Sequence, residues 1–168
     1  DGGLFSLEVI KKEEKGLMRT VVQRVSRASV SVEGEVKGTI GQGLVVLLGI
    51  ERSDTDEDLE WLANKIPQLR VFEDDVGKMN VDLLAINGEM AVVSQFTLFG
   101  NVRKGTRPSF NRSATPDKAI PMYEAFVARM ETRLGKPVVI GEFGAMMEID
   151  LVNDGPVTLI LDTQDKRF

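Results

Sequence analysis

Residues 43–50, GLVVLLGI, carry no polar side chain over eight positions. A strand presents alternate residues to opposite faces, so a run that is apolar throughout has to be covered on both. The run is far too short to cross a bilayer, which takes about 20 residues. It therefore predicts the central strand of a sheet with material packed above and below. Two stretches can supply helical cover. In the first, Asp54 and Thr55 can cap a helix with Leu59, Leu62, Ala63, Ile66 and Leu69 on one stripe, and Pro67 tightens it near its end. In the second, Thr115-Pro116 is an N-cap and N1 pair, and Ile120, Tyr123, Phe126, Val127, Met130 and Leu134 line a buried face that Gly135 terminates.

The remaining segments read as strands. From Met18, RTVVQRVSRASVSVEGEV alternates with a period of two, Ala28, Val30 and Val32 opposing Arg27, Ser29 and Ser31. The phase of Val21–Val25 differs from that of Ala28–Val32, which predicts a bulge, and Glu33-Gly34 is a hairpin turn. LRVFED is a strand, DVGKMN a turn, and 81–86 a short element of open type; Asn87-Gly88 then turns the chain into the strand EMAVVSQFTLF. KPVVIGEFG and MMEIDLVNDGPVTLILD are expected as the last two strands. The fold class is α/β, a single strand-rich domain with two main helices.

Within the last of these strands, Gly155-Pro156 breaks an otherwise buried pattern of Leu151, Val157, Leu159, Ile160 and Leu161. Proline donates no ladder hydrogen bond and glycine weakens a strand, so the pair argues against an unbroken central strand. From the residues alone an edge bulge or tight turn is the simplest reading, with a cis bond as the alternative.

The 168 residues fit one domain with a real core, and 42% hydrophobic with 28% charged residues is ordinary for a globular protein. The chain has no Cys and no His. Disulfides, thiolate catalysis, Cys/His zinc sites and Ser-His-Asp triads are excluded, so any enzyme here works without an imidazole. No metal and no cofactor is expected. Residues 1–17 lack a signal-peptide pattern and contain Glu8, Glu13 and Glu14; they are expected to be a disordered extension or expression remnant, with Met18 a natural start of the domain 18–168. A cytoplasmic location follows by default, and no membrane association is expected.

Net charge is −5, but no acid falls between Glu89 and Asp117, where Arg103, Lys104, Arg107 and Arg112 cluster. The basic loop 101–112, flanked by Phe99 and Phe110, reads either as a solvated surface loop or as a grip on phosphates with planes that can stack on a base. Just before it, VVSQFTLFG places Ser94 and Phe96 on one face and Gln95 and Thr97 on the other. Polar groups on both faces mean either solvent-facing alternates or a strand end lining a cleft.

Taken together, MRTVVQRVSRASVSVEGEVKGTIGQGLVVLLGI, SQFTL, RKGTRPSF, FGAMM and VNDGPVT resemble the D-aminoacyl-tRNA deacylase family from Met18 to about Asp162, with SQFTL and NDGPVT its specific motifs. The leader is the one departure. The resemblance implies a layered β/β/α architecture and a homodimer whose active sites lie at the subunit interface, where SQFTL of one subunit meets Gly155-Pro156 of the other. It implies a cis Gly-Pro bond acting as a chirality filter, with Arg24 bracing it and Val157 and Thr158 locking the bend. L side chains collide with rigid backbone, whereas D side chains point away.

The implied reaction is hydrolysis of the ester of D-aminoacyl-tRNA, extending to glycyl-tRNA mischarged on tRNA-Ala. Thr97 is the natural nucleophile from sequence, but a threonine hydroxyl needs a base; with no His, Lys104 is the candidate, and nothing in the sequence places it near Thr97. The family offers a route in which the substrate's ribose 2′-OH activates water and backbone N–H groups at Phe96 and Thr97 hold the oxyanion. In that scheme Ser94 and Gln95 shape the pocket, Phe96 seats the terminal adenosine, and Met147 contributes to the same pocket. Arg103, Lys104, Arg107 and Phe110 hold the acceptor end. A non-catalytic RNA-binding module and a Ser/Thr hydrolase of small esters are the alternatives. Turnover of charged tRNA separates the first; activity on an ester lacking the 2′-OH supports the second.

Overall fold

The computed structural model describes residues 16–165. Its elements in chain order are β1 (Arg19–Val32), β2 (Glu35–Ile40), β3 (Gly43–Gly49), α1 (Asp56–Lys65), β4 (Phe72–Glu73), β5 (Met79–Val81), β6 (Glu89–Ser94), α2 (Pro116–Leu134), β7 (Val139–Ile140) and β8 (Met147–Asp162). The run 43–50 is the middle of the molecule. β3 pairs antiparallel with the first half of β1 and parallel with β6, which in turn pairs parallel with β7. β2 pairs with the second half of β1, and β8 runs antiparallel along almost all of β1 on its other side.

Both faces of β3 are buried, against different partners. Leu44, Val46 and Leu48 join Met18, Val22, Leu59, Leu62, Phe126 and Met130 in a core between the sheet and the helices. Val45 faces the opposite way, with Val25, Ala28, Val30, Ile40, Ala91 and Val93. The second cluster forms because the sheet curls. β2 comes round to β7, so closely that a Cβ on Gly38 would lie 2.7 Å from Val139 Cγ1. The β1 bulge is what lets one strand serve both cores. Val22 points into the helical layer while Ala28 and Val30 point into the second cluster, and the register against β8 shifts on either side of Val25. Without that shift, even-numbered residues would all face one way.

The helices follow their sequence signals. Thr55 is the N-cap of α1 and its N–H donates to Asp58 Oδ2 at 2.9 Å. Asp54, the other cap candidate, is buried and does different work, described below. Pro67 sits in a short 3-10 turn, Ile66–Gln68, that closes α1. α2 begins after Thr115 and ends at Gly135, whose φ of 67° is the left-handed cap that glycine adopts most easily. The buried Tyr123 hydroxyl donates to Val92 O at 2.7 Å, fixing α2 to β6.

Three expectations need correction. The strand predicted over EMAVVSQFTLF stops at Ser94, and Phe96–Phe99 is a 3-10 turn. KPVVIGEFG contributes only Val139–Ile140 as strand, and LRVFED only Phe72–Glu73. Leu17, just before β1, is buried and its N–H donates to Asp54 Oδ1 at 2.6 Å. Of the predicted extension over 1–17, residues 1–15 lie outside the described residues. Among the described residues no helix is long and apolar enough to cross a membrane.

Candidate active site

The interruption at Gly155-Pro156 is an out-of-register bulge. Asn153 pairs with Val25 and Thr158 with Gln23, so the four residues Asp154–Val157 stand opposite Arg24 alone. Arg24 fills the space this opens. Its side chain is 8% exposed, Nε donates to Asp154 O at 3.0 Å, and Nη1 donates to Val71 O at 2.8 Å. The Asp154 carboxylate, partly in solvent, lies 3.7 Å from Nε. Gly155 has φ +123°, and a Cβ built on it would sit 2.8 Å from Arg24 Nη2. The Gly155–Pro156 peptide bond is cis. Asn153 ties the base of the bulge: Oδ1 accepts from Val157 N–H and Nδ2 donates to Thr158 Oγ1, each at 3.3 Å. The result is a main-chain projection at the surface with a guanidinium fastened beneath it.

The SQFTL segment lies elsewhere in the chain. β6 ends at Ser94, opposite Leu48 of β3, and Gln95 N–H donates to Leu48 O at 2.8 Å. The backbone then tightens into the 3-10 turn, with Leu98 N–H bonded to Gln95 O. The first N–H groups of such a turn, here those of Phe96 and Thr97, have no acceptor within it. The Gln95 side-chain amide donates to Thr97 Oγ1. An amide N–H cannot take a proton, and no hydrogen bond joins Lys104 to Thr97 among the described residues, so the Thr97 hydroxyl has no base at hand.

The basic loop and this turn are one unit. Phe96, 54% exposed, stacks edge-on against Phe110 at 5.2 Å between centroids, and Ser113 Oγ donates to Phe96 O at 3.0 Å. The loop is pinched by paired backbone bonds between Asn101 and Ser109, of 2.8 and 2.9 Å. Arg103, Lys104 and Arg107 lie exposed on the projecting part. Phe99 differs from its expected role as an open stacking plane: it is buried, under the Arg19 guanidinium at 5.5 Å. Arg112 is also not a free cation, since Nε donates to the buried Glu51 at 3.3 Å.

Thus the structure joins Ser94, Gln95, Phe96, Thr97 and Phe110, and separately joins Arg24, Gly155, Pro156, Val157 and Thr158. It does not join the two groups within one chain. Along the sheet they are three strands apart and four residues out of step, about 14 Å across and about 13 Å along. Met147 is at the other end of β8, paired with Val32 and packed on the second core, where its sulfur occupies the space a Cβ on Gly141 would need.

Several participants escape a reading of the sequence. Asp54 accepts N–H bonds from Leu17 at 2.6 Å and Glu51 at 2.7 Å, and burial, with Asp58 and Glu51 nearby, pushes its carboxyl up to about 7 against the effect of those donors. Arg19 is held by Asp162, and Val71 supplies a carbonyl to Arg24. The Arg19–Asp162 and Arg24–Val71 partners are 143 and 47 residues apart and carry no local signal. Asn153 does sit inside the NDGPVT motif, where its place before the Gly-Pro pair was the available hint. Among the described residues there is no group of three or more Asp or Glu that could hold a metal ion.

Comparison with known proteins bears on this arrangement. The family model for D-Tyr-tRNA(Tyr) deacylase matches residues 21–162. The chain is 56% identical over 149 residues to a D-aminoacyl-tRNA deacylase of Parabacteroides distasonis, covering 89% of this chain and 99% of that one. It is also 56% identical over 146 residues to the D-aminoacyl-tRNA deacylase of Opitutus terrae, covering 87% and 97%. A solved structure of a c-Myc DNA unwinding element binding protein superposes with a TM-score of 0.79 at 42% identity, covering 85% of this chain and 97% of that one. With the model spanning both the Arg24-braced bulge and the SQFTL turn, and relatives more than half identical over nearly their whole length, the chain belongs to the D-Tyr-tRNA(Tyr) deacylase family.

Proposed function

We propose that this protein hydrolyses the ester of D-aminoacyl-tRNA, and of glycyl-tRNA, and spares L-aminoacyl-tRNA. The observation that carries the reading is the main-chain projection at Asp154–Val157, clamped from below by the buried Arg24. A surface made of fixed backbone discriminates by shape without regard to side-chain chemistry. An L side chain directed at it has nowhere to go, whereas a D side chain points away, and glycine has nothing to exclude.

The separation of this projection from SQFTL supports a homodimer in which Gly155-Pro156 of one subunit completes the other's pocket. In that pocket water adds to the ester carbonyl and the N–H groups of Phe96 and Thr97 receive the developing oxyanion. The attacking water's proton passes to the ribose, and the 3′-oxygen leaves as a hydroxyl. The absence of a base beside Thr97 favours the neighbouring 2′-OH as the group that activates water, with Thr97 positioning the substrate. Phe96 seats the terminal adenosine, backed by Phe110, while Ser94 and Gln95 shape the floor. Arg103, Lys104 and Arg107 attract the acceptor-end phosphates. The reaction belongs in the cytoplasm, with translation.

Time courses with D-alanyl-, glycyl- and L-alanyl-tRNA test the reading. Rapid cleavage of the first two with the third intact is expected. One methylene in a hydrophobic pocket discriminates by only about 10–200-fold, so steric exclusion should exceed that range. Comparable cleavage of the L substrate refutes the filter, and no cleavage of any refutes the function.

A further inference from the structure

A cavity of about 320 Å3 opens beside the SQFTL turn, walled by Arg19, Phe99, Gly100, Asn101, Arg103 and Arg112. It shares its wall with the turn: Gly100 N–H donates to Thr97 O at 2.9 Å and Arg19 Nη1 to Leu98 O at 3.0 Å. Three arginines line this space, from β1, from the basic loop and from the loop's return. Two are held by carboxylates. Arg19 donates through Nε and Nη2 to Asp162 at 3.3 and 3.2 Å, and Arg112 donates through Nε to Glu51 at 3.3 Å. A guanidinium carries five N–H donors, so these bonds orient the two groups and leave most of Arg112's fork, and part of Arg19's, unused. The Arg103 side chain has no ion pair among the described residues. Three cations against two carboxylates leave one positive charge in excess.

Oriented guanidiniums with spare N–H groups suit a phosphate, which takes paired charge-assisted hydrogen bonds from such forks. We propose that this cavity binds the 5′-phosphate of the nucleotide that carries the amino acid, while its base lies at Phe96. The proposal rests on the functional reading above, and it separates two roles within the basic segment. Arg103, with Arg19 and Arg112, grips one defined phosphate. Lys104 and Arg107, which do not wall the cavity, act on the tRNA at longer range.

The test is a set of binding titrations at constant ionic strength, with 5′-AMP, adenosine and inorganic phosphate added to the full chain and to Arg103→Gln. AMP is expected to bind roughly tenfold tighter than adenosine, the effect of one charge-assisted contact, and tighter than inorganic phosphate. In Arg103→Gln, whose exposed site should leave the melting temperature unchanged, the AMP-to-adenosine ratio should shrink severalfold. AMP binding no tighter than adenosine, or an unaltered ratio in the variant, overturns the proposal. AMP binding no tighter than inorganic phosphate would make the cavity a general anion site and overturn the nucleotide assignment. None of these titrations needs turnover. A protein that binds AMP this way but leaves D-alanyl-tRNA uncleaved would lose the proposed function and keep the pocket.

Discussion

Replacing Gly155 by alanine tests the clamp most directly. The new Cβ would lie 2.8 Å from Arg24 Nη2, 3.0 Å from Val157 Cγ2 and 3.2 Å from Val157 N. A terminal guanidinium nitrogen usually moves aside cheaply, but this one belongs to a side chain held by two carbonyls at 3.0 and 2.8 Å. Two relaxations are open. If the backbone moves and Arg24 stays, the cost is that of leaving or enduring φ +123°, about 1–3 kcal/mol. If Arg24 gives way, at least one charge-assisted hydrogen bond is lost as well, for about 3–6 kcal/mol in total. In a domain of this size the second route lowers the melting temperature by roughly 6–24 °C. Either route displaces the projecting main chain, and a displacement near 1 Å costs on the order of 100-fold in rate. Gly34→Ala is the control. It also has positive φ, +79°, but open space where the Cβ would go, so it should cost only about 1 kcal/mol and keep full activity. Calorimetric melting and D-alanyl-tRNA time courses on both variants decide the matter. If Gly155→Ala melts no lower than Gly34→Ala and cleaves at the wild-type rate, the clamp reasoning is wrong.

Light scattering should give a dimer mass, and an active monomer would sink the cross-subunit site. Deacylation should survive EDTA; complete loss restored by one added metal would overturn a metal-free mechanism. Arg103→Ala with Lys104→Ala should lower the slope of log K against log salt for tRNA binding by roughly 0.7–0.9 per lost phosphate contact, and an unchanged slope makes the loop a bystander. Asp54 has a folded pKa raised from 3.8 to about 7, so its contribution to stability is full below the lower value and is lost as pH rises through the upper one. Wild type should therefore lose stability relative to Asp54→Asn between about pH 4 and 7, with a constant difference above that. Thermal melts showing a pH-independent difference would count against a buried, protonated Asp54.

What could be read from the chain depended on how local the determining forces are. The two-faced burial of 43–50, the phase shift in β1, and the Thr115-Pro116 and Gly135 boundaries of α2 all express short-range patterns, and the structure reproduces them. SQFTL was misread as strand because its alternation is sound. What bends it is the Gln95 bond to Leu48 and the Ser113 bond to Phe96, made by residues 47 and 17 positions away. The same limit hid the neutralisation of Arg112, whose partner Glu51 is 61 residues distant. Gly155-Pro156 was legible as an interruption, and its length was not. Four residues facing one is a matter of register between strands, which neither strand records alone.

That mismatch has a consequence for how the molecule behaves in a crowd. Among the described residues β8 pairs only with β1, leaving a long outer edge that carries exposed Val152 and Ile160. Such an edge invites foreign strands to add to the sheet and so to nucleate aggregates. A newcomer hydrogen-bonded along 158–162 would meet the bulge, find no donor at Pro156, and arrive out of step with 147–153. The projection at Asp154–Val157 thereby acts as a gatekeeper against indiscriminate strand addition.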